Sequence, residues 1–264
     1  MVIRQADQIR GREDRRELSR QQFRIRQAEP ERDDRPRIAT NTSGAPATNR
    51  LWQYAGVTAL SYDNSGNQTF DGWQSHTYDA ANRLKTALNN TSSYEYDGEG
   101  HRIKQTNSAG TIYYLWSSVL GQVTAEIAGS SVYRAYVYSA GGQMLALQSY
   151  YGDFYWVHQD HLGSSRKMTD MSGNVIYRAE FDPYGQTVFE WSNYGTGELY
   201  KNSKKYTGYE RDWATNLDNA NARTLNHKAG RFLQADPLGL GAADATNPHT
   251  GYRGLAGGYF ASSF

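Results

Sequence analysis

From Asn49 onward the chain is built of short stretches in which apolar and polar residues alternate. Arg83-Leu84-Lys85-Thr86-Ala87 and Arg102-Ile103-Lys104-Gln105-Thr106 show this period of two, which is typical of strands with one buried face. Turn signals recur about every 10 to 18 residues, a spacing that favours all-β folds over βαβ units. No strong amphipathic helix is predicted after residue 50, and residues 186–205 are predicted to be irregular. The pattern predicts an all-β fold in which residues 50–240 form one antiparallel sheet of hairpins.

The stretches end in a repeated four-residue unit, Asp-x-x-Gly or Asp-x-x-Asn. In such a unit the Asp side chain accepts a backbone N–H two residues later, and Gly or Asn tolerates a positive φ at the fourth position. The units begin at Asp63, Asp79, Asp97, Asp160, Asp170, Asp182 and Asp236. We therefore expect these aspartates to start hairpin turns, with Asp63, Asp97, Asp170 and Asp182 as the clearest cases.

The composition of the chain excludes several classes of functional site. The 264 residues include 21 tyrosines and no cysteine, with a net charge of +1 and a mean hydropathy of −0.79. Disulfides and thiolate sites are thereby excluded, and neither a nucleic acid partner nor a membrane span is expected. Serine-hydrolase elbows and nucleotide-binding glycine loops are missing, so no cofactor is expected. The chain as written lacks a secretory signal, which predicts a cytoplasmic location.

The two ends differ in composition from the middle. Residues 1–48 interleave many arginines with acidic residues and contain no Tyr or Trp. Such a stretch buries too little apolar surface to fold, so we expect a disordered arm. A basic arm that contacts nucleic acid is the alternative, but the interleaved acids cancel most of its charge. Residues 241–264 are rich in Gly, Ala and Ser, and we expect a loose tail.

An ordered set of motifs resembles the RHS/YD-repeat family. The motifs are Tyr78-Asp79-x-x-Asn82-Arg83-Leu84, the stretch from His158-Gln159-Asp160-His161-Leu162-Gly163-Ser164 to Phe181-Asp182-Pro183-Tyr184-Gly185, Tyr206-Thr207-Gly208-Tyr209-Glu210-Arg211-Asp212, and Gly230-Arg231-Phe232-Leu233-Gln234-Ala235-Asp236-Pro237-Leu238-Gly239. The resemblance divides the chain into YD-repeat hairpins over residues 49–157 and an RHS-associated core over residues 158–240. It implies a strip of hairpins that curls into a partial shell or open barrel.

The family resemblance also implies a function. Larger members enclose a C-terminal toxin in the shell, many are exported, and some cut themselves after the core with a pair of aspartates. Asp236 matches the first of these two Asp-Pro motifs, but the second is absent. We therefore expect no self-cleavage. The missing parts suggest either a fragment of a larger toxin-encapsulating protein or a free-standing small relative.

Few residues suggest catalysis. Among the six histidines the only tight cluster is His158-x-x-His161, with Asp160 between them. These residues and Asp236 are the candidate catalytic residues, although a turn, which the family resemblance also implies, is the favoured explanation of Asp160 and His161. The oxygen-rich turns at Asp63 and Asp170 could instead hold Ca²⁺.

One charged segment and the six tryptophans each allow a functional and a structural interpretation. Glu210-Arg211-Asp212 could be an acid/base group, but a buried ion pair is the simpler interpretation. The tryptophans Trp52, Trp73, Trp116, Trp156, Trp191 and Trp213 could stack sugars or peptides, although cross-strand packing is commoner.

Two hypotheses follow. The first is a β-shell scaffold or binding module that takes a protein partner or a polypeptide cargo. The second is a Ca²⁺-dependent hydrolase of a small-molecule ester or lactone substrate, using an Asp/His cluster on the same fold.

Overall fold

The computed structural model describes residues 37–40, 46–53, 60–193 and 202–237. Their regular structure is almost entirely β. The strands are β1 Arg37–Thr40, β2 Pro46–Gln53, β3 Ser61–Tyr62, β4 Gln68–Phe70, β5 Thr77–Tyr78, β6 Leu84–Ala87, β7 Ser92–Tyr96, β8 Arg102–Asn107, β9 Gly110–Ser117, β10 Gln122–Ala128, β11 Ser131–Tyr138, β12 Met144–Ser149, β13 Phe154–Gln159, β14 Ser165–Thr169, β15 Val175–Phe181, β16 Thr187–Ser192, β17 Glu210–Asp212, β18 Leu217–Ala220, β19 Arg223–Asn226 and β20 Arg231–Phe232. No helix in the described ranges is long and apolar enough to cross a membrane.

Twelve strands, β5 to β16, form one sheet in which each strand pairs with its neighbours in sequence; we call it the strip. All its pairings are antiparallel, which confirms the predicted all-β hairpin fold. The order runs from β16 to β5, and these two end strands do not pair with each other in the described part of the chain. The strip is therefore open and not a closed barrel.

The prediction of one sheet over residues 50–240 is wrong. Strands β17 to β20 form a separate four-stranded sheet, the small sheet, and β3 pairs only with β4. A short 3-10 turn at Tyr206–Gly208, in which Thr207 has a φ of 50°, redirects the chain before β17. Hydrogen bonds from Ser165 N to Lys205 O (3.0 Å) and from Thr207 N to Ser164 Oγ (3.1 Å) hold this turn against β14. The chain thus returns across the strip instead of extending it.

Two boundaries also differ from the predictions. Arg37–Thr40, inside the stretch expected to be a disordered arm, forms β structure, because it pairs with Pro46–Gln53. The average composition of residues 1–48 conceals the β-branched residues Ile38 and Thr40 in this strand. Residues 187–192, expected to be irregular, form β16 at the edge of the strip. Residues 1–36 and the predicted tail 241–264 lie outside the described residues.

The Asp-x-x-Gly units form the predicted turns. At Asp97 the carboxylate Oδ1 accepts the backbone N–H of Glu99 (2.9 Å) and of His101 (2.8 Å), while the carbonyl accepts the N–H of Gly100 (3.2 Å). The same three bonds occur at Asp79, Asp160, Asp170 and Asp182, and Asp63 makes two of them. Each carboxylate therefore stabilises its own turn. For Asp236 the end of the unit lies outside the described residues.

A row of buried tyrosines marks the inner face of the strip. Every second strand from β7 to β15 contributes one, namely Tyr94, Tyr114, Tyr136, Tyr155 and Tyr177. Apolar contacts join this face to the small sheet at two places: Leu84 and Tyr94 pack with Leu217 and Leu233, and Phe181 packs against a cluster with Leu225. The small sheet thus covers part of the inner face.

Candidate functional site

The interface between the inner face and the small sheet contains buried ion pairs. Arg102 of β8 donates from Nη2 to Glu210 Oε1 of β17 at 2.7 Å, and both side chains are only 5% exposed. Lys204 Nζ lies 3.5 Å from the other oxygen of Glu210. The Arg102 guanidinium also lies over the rings of Tyr94 and Tyr114. These contacts connect the middle of the strip to the first strand of the small sheet.

A second charged group lies beside the first. Arg134 Nη1 donates to Glu126 Oε2 at 2.8 Å, and the other Glu126 oxygen accepts the Tyr136 hydroxyl. Ser203, in the segment that leads into the small sheet, donates to the same oxygen at 3.1 Å. Because Glu126 is only 1% exposed, its carboxylate is almost completely surrounded by donors, as a buried charge must be.

Arg211 bonds the small sheet to the strip near the turn between β15 and β16. Its Nε and Nη2 atoms donate to the two carboxylate oxygens of Asp218 at 2.7 and 2.8 Å. The same guanidinium also donates to Thr187 Oγ1 and to the carbonyl of Gly185, both at 2.7 Å. The ion-pair interpretation of Arg211 is confirmed, and the forked geometry explains why Arg occupies this position.

Burial changes the pKa of these groups in both directions. Burial alone raises the pKa of Glu210, but the charges of Arg102 and Lys204 and a hydrogen bond from Tyr114 outweigh it and hold the pKa below 4.5. Burial lowers the pKa of Lys205, although its partner Glu190 opposes the shift. These shifts have a structural cause, namely ion pairs inside the fold, and do not require a catalytic role.

Two cavities, both open to solvent on one side, lie at the interface. One, of about 490 Å³, is lined by turns of the strip that include Asp160 and His161, and by Lys204 and Glu210. The other, of about 670 Å³, is lined by the strip from Gln105 to Glu190 and by Asn202 to Lys228. Both have the size of small-molecule sites.

The candidate catalytic residues do not form one cluster in the structure. Asp160 Oδ1 accepts the backbone N–H of Leu162 and of Ser164, so this carboxylate belongs to its turn. His161 is exposed on the same turn. His158, on β13, is exposed, and its Nε2 contacts Thr169 Oγ1 at 3.1 Å. Of these three residues only Asp160 and His161 line a common cavity.

Asp236 has a different environment. It pairs with Arg223 of β19, with Oδ2 at 3.1 Å from Nη1. This pair belongs to the small sheet and the segment after it.

The calcium hypothesis gains no geometric support at the predicted turns. Asp170 Oδ1 accepts two backbone N–H groups, and Oδ2 accepts Asn174 Nδ2 at 3.0 Å. The carboxylate of Asp63 is bonded to Asn67 in the same way. The described residues do bring together Asp97, Glu99 and His101, whose ligand atoms lie within 4.8 Å of one another. Sequence reasoning missed this group, although its spacing of two along one turn is a readable signal.

The most extensive feature of the interface, the buried charges of the inner face, was also missed. Arg102, Glu126 and Arg134 sit within strands whose alternation suggested apolar inner positions. In β8 the polar residues Arg102 and Gln105 are buried while Ile103 is 36% exposed.

The chain is similar in sequence to several known proteins. A family model described as "RHS protein" matches residues 154–191. The tRNA3(Ser)-specific nuclease WapA of Bacillus spizizenii is 29% identical over 185 residues, which cover 68% of this chain and 8% of that protein. Toxin subunit YenC2 of Yersinia entomophaga is 28% identical over 214 residues, 70% of this chain and 22% of that protein. The chain thus spans a small part of the relatives that it matches.

Solved structures show the same fold. The crystal structure of TcdB2-TccC3 matches 71% of this chain and 10% of its own chain, with a TM-score of 0.58 at 21% identity. The crystal structure of TcdB2-TccC3-Cdc42 matches 74% of this chain with a TM-score of 0.59. The motifs, the family model over residues 154–191 and the fold all agree with the RHS-repeat proteins.

Proposed function

We propose that the chain is a structural module, a segment of shell wall whose inner face holds a polypeptide. One observation carries the proposal: the small sheet is held on the inner face of the strip by buried ion pairs such as Arg102–Glu210. A wall that retains a polypeptide needs an inner surface that bonds backbone and side chains, and this face presents tyrosines and paired charges.

The relatives support the same role. The similar proteins include a toxin subunit, matched by sequence, and TcdB2-TccC3, matched by fold. Among the described residues β5 and β16 are the end strands of the strip, and a longer wall would continue from these two ends. The hydrolase alternative has no comparable support, because Asp160 serves its turn and Asp236 pairs with Arg223.

Binding of an unfolded polypeptide tests the proposal. Strand β9 offers a matched pair of variants: Ile112 packs against the inner core cluster, whereas Leu115 is 53% exposed on the opposite face. We expect the full chain to bind fluorescein-labelled β-casein saturably in fluorescence anisotropy. Ile112→Lys should weaken this binding about tenfold, equivalent to about 1.4 kcal/mol, and Leu115→Lys should leave it unchanged.

The same samples test the competing function. Circular dichroism first establishes that both variants are folded. Absence of saturable β-casein binding, or weakening by Leu115→Lys alone, would overturn the proposal. Turnover of a nitrophenyl ester or a lactone that His161→Ala abolishes would instead favour the hydrolase.

A further inference from the structure

The turn that begins at Asp97 carries different side chains from the other Asp-x-x-Gly and Asp-x-x-Asn turns. Counting the first aspartate as position one, it has Glu99 at the third position and His101 at the fifth. The other units hold Ser65 and Asn67, Ala81 and Arg83, Leu162 and Ser164, Ser172 and Asn174, Tyr184 and Gln186, and Leu238 and Leu240 at these positions. The turn at Asp97 is thus the one unit in the sequence that combines two carboxylates with an imidazole.

These three side chains direct their ligand atoms toward one another. His101 Nδ1 lies 3.2 Å from Asp97 Oδ2 and 3.6 Å from Glu99 Oε2, and one ligand atom from each residue lies within 4.8 Å of the other two. An ion with bonds of about 2.1 Å holds neighbouring ligand atoms about 3.0 to 3.4 Å apart, from octahedral to tetrahedral geometry. The side chains therefore need only a small movement to close around one ion.

The surrounding structure holds two of the three ligands in place. Asp97 Oδ1 accepts the backbone N–H groups of Glu99 and His101, so that Oδ2 faces the imidazole. The His101 ring stacks on Trp116, with ring centroids 4.3 Å apart and an angle of 25° between the planes, and Trp116 Nε1 donates to the carbonyl of Arg102 at 3.0 Å. Asp97 and His101 are therefore oriented before an ion arrives, which lowers the entropy cost of binding. Glu99, whose side chain is 83% exposed, can rotate from solvent to complete the set.

An ordinary hydrogen bond within the turn is the alternative explanation of His101. At the Asp170 turn the fifth residue, Asn174, donates from Nδ2 to the second carboxylate oxygen at 3.0 Å. Asn67 does the same at the Asp63 turn, at 2.8 Å. An amide nitrogen always carries its hydrogens and cannot bind a cation, whereas a neutral imidazole can present a lone pair at Nδ1. The substitution His101→Asn therefore separates the two explanations, because it keeps the hydrogen bond and removes the metal ligand.

The donor set selects the kind of ion. One imidazole nitrogen with two carboxylate oxygens suits Zn²⁺ and similar divalent transition-metal ions, whereas Ca²⁺ takes six to eight oxygen ligands. From this geometry we propose that the turn between β7 and β8 binds one Zn²⁺ ion through Asp97 Oδ2, Glu99 Oε2 and His101 Nδ1. Three protein ligands leave a coordination position for water. The site does not depend on the polypeptide-binding role proposed above.

Isothermal titration of the untagged, chelator-treated full chain tests the proposal, with ZnCl₂ and CaCl₂ as probes. We expect Zn²⁺ to bind with a Kd below about 100 µM and Ca²⁺ to bind at least about tenfold more weakly. His101→Asn, which reproduces the fifth residue of the Asp63 and Asp170 turns, and Glu99→Gln should each weaken Zn²⁺ binding at least about tenfold. The matched control is His161→Asn, the same substitution in the Asp160 turn, which should leave the Kd unchanged.

One measurement needs no substitution and serves if a variant fails to fold. In wild-type protein the side-chain ¹⁵N resonances of His101 should shift on titration with ZnCl₂, while those of His158 should not. The proposal is overturned if Zn²⁺ does not bind with the expected affinity, if Ca²⁺ binds as tightly, if folded His101→Asn binds Zn²⁺ like the wild type, or if Zn²⁺ leaves the His101 resonances unmoved.

Discussion

The ion pair between Arg102 and Glu210 gives a quantitative test of how the small sheet is held. The two side chains come from different sheets, 108 residues apart, and meet at 2.7 Å. Each is 5% exposed. Removing one member of such a pair leaves the other charge buried without its partner, which costs about 3 to 5 kcal/mol.

The perturbation is Arg102→Met, which keeps much of the side-chain volume. Lys204, 3.5 Å from Glu210, compensates in part, so we expect the free energy of unfolding to fall by about 3 kcal/mol, the lower end of that range. The double variant Arg102→Met/Glu210→Gln buries no uncompensated carboxylate. It should recover at least half of the loss, which corresponds to a coupling energy on the order of 2 kcal/mol.

The effect should depend on pH in a defined direction. The pKa of Glu210 is below 4.5 in the folded protein, because Arg102 and Lys204 outweigh burial. A carboxyl group with a lowered folded pKa stabilises the fold above its unfolded pKa, and this contribution is lost as the pH falls through the folded value. The stability gap between wild type and Arg102→Met should therefore be complete at neutral pH and narrow as the pH falls below 4.5.

Urea unfolding followed by tryptophan fluorescence measures these free energies at neutral and acidic pH. Hydrogen exchange of amides in Glu210–Phe232 reports whether the small sheet opens before the strip. A loss below about 0.5 kcal/mol, which is typical of surface substitutions, would refute the reasoning. So would a double variant whose loss equals the sum of the two single losses, because the pair would then not be coupled.

Two further predictions concern a close contact and the expected absence of cleavage. Gly185 has a φ of 91°, and an added Cβ would lie 2.6 Å from Tyr206 Cδ1, whereas Gly173 has a φ of 84° and nothing within 4 Å. Thermal unfolding should show a loss of about 1 kcal/mol for Gly173→Ala and about 3 kcal/mol for Gly185→Ala; equal losses would contradict the contact. Intact mass spectrometry should show one full-length species for wild type and Asp236→Asn alike, and a shorter wild-type species that the substitution abolishes would reveal an aspartate-dependent cut.

Local features of this fold could be predicted from the sequence. The Asp-x-x-Gly turns depend on bonds within five residues, so Asp97 and Asp182 could be placed without knowing the rest of the chain. The all-β class followed from alternation, which is also local. The RHS motifs are also local in sequence, so they indicated the family without knowledge of the fold.

The interface between the sheets could not be predicted, because it depends on contacts distant in sequence. Alternation alone suggested that the side chain of Ile103 faces the core. Arg102 occupies the inner position instead, because it pairs there with Glu210 of the small sheet. Arg211 was expected to pair with a carboxylate, and its partner Asp218 is the local exception, because it lies opposite Arg211 in the β17–β18 hairpin.

The buried charges also explain how a chain with a mean hydropathy of −0.79 forms an interior. Tyrosine rings provide apolar area on the inner face, and their hydroxyls bond to buried carboxylates, as Tyr94 does to Asp212 at 2.5 Å. Replacing buried ion pairs by apolar residues is often neutral or stabilising in proteins, so stability alone does not account for them. The ion pairs act on the position of the small sheet. If the small sheet shifted along the strip, Arg102 and Glu210 would separate and both charges would be buried without a partner. An apolar interface would tolerate such a shift, whereas these pairs favour a single position of the small sheet on the strip.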